Sequence, residues 1–521
     1  MRGFWLAVGL VAGAALAALT ACGSGSSKPK ASDPAPVCDG SCPVAPGCPQ
    51  ITCPPPPPPP PPPVDPPAAA GGFTFYGEAQ GLTADVSDAS ADEGGNVYVA
   101  GGSALFVKRR DDRDFVRVDP AAAGLTANCH DPAEIAVEAP QSPAVPCPII
   151  SVAGAAAGAA VVGYRGVGSD YDYDAEWARR SGGADVVAFD GTRVTLQRHV
   201  FIASPPGVIC EHWDNTNYPQ VPWNSVCGET WSDSTWVSGR RGKGRVVHRI
   251  VVNHDATRPL SQGDVYLGAS HAVLSILAAN PEQRGWLDYI KGDAAFADSF
   301  AIFEHEHPAI TGSDGRFLTG ESTGLALDPV ANVPWFSNEV RTASLPDYAT
   351  MNRPSWNGWW GSMAPVTPHA TFFGGDPADD TYWDNVSGLT FCGDGTLWVA
   401  SAGKGIARVG IDRAKTVTDP ANAFSVQRID LPAGTGNQAS AIACDPSDGS
   451  IWVGFGWGGF GRYKDGAWQA SGTVPQGAPK MAWNPVRSIQ FDRWASPRIV
   501  YIAHGPSLKY GAGGVTVYAG P

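Results

Sequence analysis

Along residues 71–521, short runs in which apolar residues alternate with small or polar ones recur, and helical spacing is scarce; this is the pattern of half-buried strands. Four runs share an aromatic at their centre: Asn96-Val97-Tyr98-Val99-Ala100-Gly101, Asp264-Val265-Tyr266-Leu267-Gly268, Thr396-Leu397-Trp398-Val399-Ala400 and Ser450-Ile451-Trp452-Val453-Gly454. Looser copies are Ala160-Val161-Val162-Gly163-Tyr164, Val333-Pro334-Trp335-Phe336-Ser337 and Ile499-Val500-Tyr501-Ile502-Ala503, which makes seven. Each is predicted to be a strand entered through a turn.

The flanks repeat as well. A strand such as Ser387-Gly388-Leu389-Thr390-Phe391 or Ser440-Ala441-Ile442-Ala443 comes first, closed by the Asp394-Gly395 or Asp448-Gly449 turn, a strong hairpin signal. Gly405-Ile406-Ala407-Arg408-Val409 or Gly459-Phe460-Gly461-Arg462-Tyr463 follows, then a polar turn and Ala467-Trp468-Gln469. Four short antiparallel strands per unit is the content of one propeller blade. The expected fold is therefore all-β, a seven-bladed β-propeller over residues 71–521 with decorated loops.

Closure of the ring is expected from the chain ends. Phe73-Thr74-Phe75-Tyr76-Gly77 resembles an outermost strand lying ahead of the first full unit, and Gly514-Val515-Thr516-Val517-Tyr518 reads as the third strand of the last blade. Pairing 73–77 with 514–518 would remove the open edges that invite aggregation. The string from Gly449 to Tyr463 resembles the repeat of two-component-regulator-type (ligand-sensor) β-propellers. The match is good around Val97, Trp398 and Trp452, fair around Tyr501 and Tyr266, and poor around Val161 and Trp335. That resemblance implies a fold and brings no catalytic residues.

Ahead of the strands lie two other kinds of sequence. Met1-Arg2 followed by an alanine-rich apolar run to Leu19 reads as a signal peptide over 1–21, too short to be a spanning helix. Leu19-Thr20-Ala21-Cys22 resembles the lipobox of bacterial lipoproteins, which implies cleavage and lipidation of Cys22 and a membrane contact through that lipid. Gly23, rather than Asp, follows it, which under the Gram-negative sorting rule implies the outer membrane. Residues 22–70 are rich in Ser, Pro, Ala and Cys, and cannot bury a core. Their uninterrupted Pro54–Pro63 run predicts a polyproline II rod of about 30 Å.

Charge and cysteines narrow the partners. A formal net charge of −14 sets nucleic acid and anionic membrane surfaces aside. The basic run Arg240-Arg241-Gly242-Lys243-Gly244-Arg245 reads as a solvated loop. Of 11 cysteines, Cys22 is assigned to lipid, and in an exported chain the rest default to disulfides. Cys129 with Cys147 and Cys210 with Cys227 are the expected local pairs; Cys392 and Cys444 are either a pair or buried thiols, and Cys38, Cys42, Cys48 and Cys53 crowd the linker.

Insertions at 166–183, 205–241, 278–318 and 344–373 carry the candidate chemistry. In Glu304-His305-Glu306-His307-Pro308, His305 and His307 would share one face of a strand and chelate a divalent metal, with His271 or His254 as third ligand. Three such ligands leave room for water, as in a catalytic zinc site, with Glu304 or Glu306 as base. The plainer reading is a hydrogen-bonded polar loop. Asp170-Tyr171-Asp172-Tyr173-Asp174 lacks the glycine and terminal Glu of a calcium loop, and reads as a solvated acidic turn. Trp356, Trp359 and Trp360, with further insertion tryptophans, either bind a glycan or peptide or pack the insertions down. No Gly-x-Ser-x-Gly elbow or helix-borne phosphate loop is found.

The expected function is non-catalytic recognition of a ligand, with a glycan, a peptide or an envelope protein as partner. The alternative is a metal-assisted hydrolase or lyase built on His305 and His307.

Overall fold

The structure is a computed structural model, and it describes residues 72–125, 128–129, 145–166, 182–201, 246–257, 262–269, 273–276, 299–301, 322–337, 342–344, 369–374, 384–416, 419, 422–469 and 474–520. The chain divides into two units, 1–62 and 63–521, and all described residues belong to the second.

Each repeat becomes the second strand of its own antiparallel sheet. In blade 1 the strands run Val86–Ala91, Asn96–Gly101, Ala104–Arg109 and Val116–Arg117, in sequence order across the sheet. Blade 5 (Val386–Phe391, Leu397–Ser401, Gly405–Ile411, Phe424–Ile429) and blade 6 (Ala439–Cys444, Ile451–Phe455, Phe460–Lys464, Ala467–Gln469) repeat that order. Blade 4 does so with shorter strands (Gly324–Leu327, Pro334–Ser337, Thr342–Ser344, His369–Ala370), and blade 3 shows three (Val247–Val252, Val265–Ala269, Val273–Ile276). Blade 2 (Ile149–Gly154, Ala159–Tyr164, Ala184–Phe189, Val194–Phe201) carries Ser299–Ala301 as a parallel fifth strand on its outer edge, supplied by the chain that follows blade 3. In blade 7 the strands Val486–Asp492, Ile499–His504 and Gly514–Ala519 are completed by Phe73–Tyr76, with Phe73 opposite Tyr518 and Tyr76 opposite Val515.

The first strand of each sheet packs against the first strand of the next, and that of blade 7 against that of blade 1, so the seven sheets close into a ring around an axial channel. This is a seven-bladed β-propeller, all-β as the repeat predicts.

In six of the seven repeats an aromatic packs one blade against the next. Tyr98 is buried in a cluster with Val152 and Val187 of blade 2. Trp335 packs with Val399 of blade 5, Trp398 with Val453 of blade 6, Trp452 with Val500 of blade 7, and Tyr501 with Val97 of blade 1. Fully burying a large apolar side chain is worth about 1.5–3 kcal/mol, so each of these wedges is a sizeable apolar gain at its junction. The cluster between blades 3 and 4 is the smallest described, built on Tyr266, Leu325 and Phe336.

A second device repeats on the inner strands. In six blades the pairing of first and second strands slips near the start of the inner strand, at Val86/Asp88, Ile149/Ser151, Val247/Arg249, Val386/Gly388, Ala439/Ala441 and Val486/Ser488. Such a bulge re-aims the residue after it. Inner strands approach so closely that a side chain at Gly154 would collide with the Ala91 carbonyl.

Candidate functional site: the axial channel

The channel has a volume of about 670 Å³ and is walled by inner strands of all seven blades. Small residues recur along the inner strands of this wall. Ser90, Ala153, Ala326, Thr390 and Ala443 occupy one level, and Gly388, Ala441 and Ser488 sit at the bulges. Several hydroxyls there serve the ring itself: Ser90 accepts from the Gly154 N–H at 3.0 Å and Thr390 from the Cys444 N–H at 3.1 Å.

Against that background the ionisable groups stand out. Asp88, at the bulge of blade 1, is buried, and its carboxylate accepts from the N–H groups of Ala89 (2.9 Å) and Val152 (3.0 Å) and from Gln490 Nε2 (2.9 Å). Burial raises the Asp88 pKa, opposed by the charge of Arg249 and by hydrogen bonds from Val152 and Gln490. Arg249, at the bulge of blade 3, crosses the channel to donate from Nη2 to the Arg487 carbonyl of blade 7 at 3.3 Å. Its pKa is lowered by burial, which the Asp88 charge partly offsets.

The other mouth is crossed by the same two blades. The His254 ring of blade 3 meets the Trp494 ring of blade 7 edge-on, centroids 4.9 Å apart. Burial, with the nearby Arg493 charge, pushes the His254 pKa down to about 4, and a hydrogen bond with the Gly154 backbone pulls the other way. Arg493 lies beside it, its pKa lowered by burial and supported by the charge of Asp255. The turn that presents His254 and Asp255 is fixed by Asn253, which accepts from the Asp255 N–H at 3.0 Å and donates from Nδ2 to Asn332 at 2.9 Å.

Of the residues that the sequence singled out as candidate ligands, His254 lines the channel. Cys22, His271, His305, His307, Trp356, Trp359 and Trp360 lie outside the described residues, as do Glu304, Glu306, the 170–174 acidic run, and the cysteines 38, 42, 48, 53, 210 and 227. Among the described residues no group of three His, Cys, Asp or Glu side chains is placed to hold a metal, and no helix is long and apolar enough to cross a membrane. Cys392 and Cys444 do pair, joining the inner-strand ends of blades 5 and 6 across a Cα–Cα distance of 5.4 Å. Cys147 is disulfide-bonded as well, and the backbone places Cys129 opposite Val145, two residues from it.

Arg249, Arg493 and Trp494 are sites that sequence reasoning missed. Val247-His248-Arg249-Ile250 and Phe491-Asp492-Arg493-Trp494 read as ordinary strand and turn. Aligning the six bulged units would have marked Arg249, because that position is otherwise Asp88, Ser151, Gly388, Ala441 or Ser488. Trp457 and Trp483 were also passed over; they are 67% and 43% exposed, the former on the turn after Phe455 in blade 6.

In sequence the chain matches no family model and no curated protein. Solved structures that it is similar to include the extracellular domain of a hybrid two-component system of B. thetaiotaomicron, at 11% identity and a TM-score of 0.44 over 86% of this chain and 42% of that one. The chain thus spans less than half of that protein's length. Virginiamycin B lyase from Staphylococcus aureus follows at 10% identity and a TM-score of 0.40, over 86% of this chain and 100% of that one. YCF48 from Cyanidioschyzon merolae gives 10% identity and a TM-score of 0.43, over 87% and 99%. The blade count rests on the strand order and the closed ring of inner strands.

Proposed function

We propose that this protein is an exported lipoprotein, anchored through Cys22 to the outer membrane, whose propeller recognises a glycan, peptide or envelope-protein partner without transforming it. The observation that carries the reading is the state of the channel's one buried carboxylate. A general base must be free to take a proton from its substrate. Asp88 is instead saturated by donors from Ala89, Val152 and Gln490, which suits a pre-formed polar wall. The lipobox-like tetrapeptide and the proline run support display on a tether.

Two measurements test it. Growth on an alkyne palmitate analogue should label the wild-type protein and leave Cys22→Ala unlabelled; equal labelling of both would remove the anchor. The full-length protein in detergent should bind members of arrayed envelope glycans or peptides saturably, with ligand masses unchanged after prolonged incubation. Consumption of the ligand would overturn the non-catalytic reading.

A further inference from the structure

Two arginines enter the channel of a protein whose formal net charge is −14, and neither forms an ion pair with a carboxylate among the described residues. Elsewhere in the ring, buried or partly buried arginines are matched: Arg110 to Asp492 at 2.7 Å, Arg413 to Asp328 at 2.8 Å, and Arg498 to Asp445. A cation even partly withdrawn from water without a counter-ion is costly, and the fold supplies counter-ions to those other arginines. At Arg249 it does not. Asp88 acts on Arg249 through space only, its oxygens being engaged by backbone and Gln490 donors, and the guanidinium is steered by a neutral carbonyl from across the channel.

We propose that the channel binds a small carboxylate ligand, with the Arg249 guanidinium as its charge partner and the Arg493 mouth as a second cationic contact. A guanidinium presents paired donors that match the two oxygens of a carboxylate, and charge-assisted bonds of this kind are roughly twice as strong as neutral ones. The small residues Gly388, Ala441 and Ala443 leave the volume beside Arg249 open, and Leu389 and Ile442 give it an apolar wall for the body of such a molecule. Arg249, partly buried in the ring, and Arg493, exposed at the mouth, also attract an incoming anion against the repulsion of a chain of net charge −14. Trp494 stands at the mouth, where its emission reports occupancy.

This inference deepens the recognition reading by naming its ligand class, and it can fail alone. The probes are acetate, butyrate, hexanoate and octanoate for fatty acids and galacturonate for sugar acids, titrated calorimetrically into the full-length protein, with thermal unfolding followed in parallel. At least one probe should bind, shift tryptophan emission and raise the melting temperature. Arg249→Gln should lose tenfold or more in affinity and abolish the thermal shift, while Arg249→Lys retains part of both. Arg493→Gln should weaken binding severalfold. Equal thermal shifts in wild type and Arg249→Gln would overturn the assignment, as would the absence of binding by every probe. If the protein still captured an envelope glycan or peptide in that case, only the carboxylate site would fall. Loss of stability in Arg249→Gln without probe binding by either protein would mark Arg249 as a strut and would likewise overturn it.

Discussion

Blade 3 and the opposite arc of the ring are joined to their neighbours by different chemistry. From blade 4 round to blade 1, each junction has a strong staple: Arg413 grips Asp328 bidentately at 2.8 Å, Cys392 is bonded to Cys444, Arg498 meets Asp445, and Arg110 meets Asp492 at 2.7 Å. The bridges described for blade 3 are neutral, Ser151 Oγ to the Val247 carbonyl at 2.6 Å and Asn253 to Asn332 at 2.9 Å. Yet blade 3 is the one whose side chains cross the channel, through Arg249 and His254. Among the described contacts, the arc thus carries the covalent and charged bridges, and blade 3 carries side chains that enter the channel, the division expected if binding elements come from the less stable part of a fold.

The staples should prove unequal to the neutral bridges when removed. Asp445→Ala leaves Arg498, 7% exposed, without its innermost partner, and breaking a buried pair costs about 3–5 kcal/mol. Urea unfolding should register that loss; a value near 1 kcal/mol would show that Asp448 and Ser447, which also contact Arg498, suffice to hold blade 7. The disulfide comes next. Replacing Cys392 and Cys444 together with Ser reopens a loop with a sequence separation of 52, for which the loop-entropy relation gives about 4 kcal/mol. Since blades 5 and 6 already share Trp398 and Val453, the fold should survive, with a lower melting temperature on calorimetry.

This asymmetry also explains what could be read from the sequence. Blades 5 and 6 were legible strand by strand, because Asp394-Gly395 and Asp448-Gly449 are turns with glycine φ of 79° and 70°, and because Trp398 and Trp452 recur at the same place. Asp448 hid a second role: the same carboxylate that accepts from the Ser450 N–H also binds Arg462 and, at 3.0 Å, Lys464. The channel was not legible. Whether a strand residue faces the axis depends on the bulge, and a bulge is a property of pairing register that one strand's own residues do not display. Arg249 therefore looked like any basic residue in a strand, and attention went to His305 and His307, whose spacing is visible without register.

Acid should sharpen the comparison further. His504 of blade 7 is sealed, with Nε2 2.8 Å from Thr516 Oγ1, and burial pushes its pKa down to about 4 from an ordinary value of 6.5. Between those values the unfolded chain binds more protons than the native one, so the stability held above about pH 6.5 is lost as pH falls toward 4. For a shift of that size the loss is about 3 kcal/mol. Asp384, raised by burial to about 6, has the opposite slope between 3.8 and 6, so the measurement must compare variants. Relative to wild type, His504→Gln should flatten the fall between pH 6.5 and 4. His254→Gln should do so by less, because its ring stands in an open mouth. Equal effects would mean that the blade 3 mouth is as closed as the blade 7 interior.

The smallest expected effect bears most directly on blade 3. Asn253→Ala removes a neutral hydrogen bond to Asn332 and the acceptor for the Asp255 N–H, so its stability cost should be about 1 kcal/mol. Its consequence at the channel should be larger than that figure suggests, because the same side chain fixes the turn carrying His254 against Trp494. Released from that turn, His254 should become more hydrated, and its pKa should rise from about 4 toward 6.5. An NMR titration of the His254 ring in wild type and Asn253→Ala would follow this while unfolding experiments track the stability. A rise in pKa with little loss of stability is the outcome expected if blade 3 is the adjustable wall of the channel. An unchanged pKa would place His254 under the control of Trp494 and Arg493 on blade 7, and the firm side of the ring would then shape this mouth.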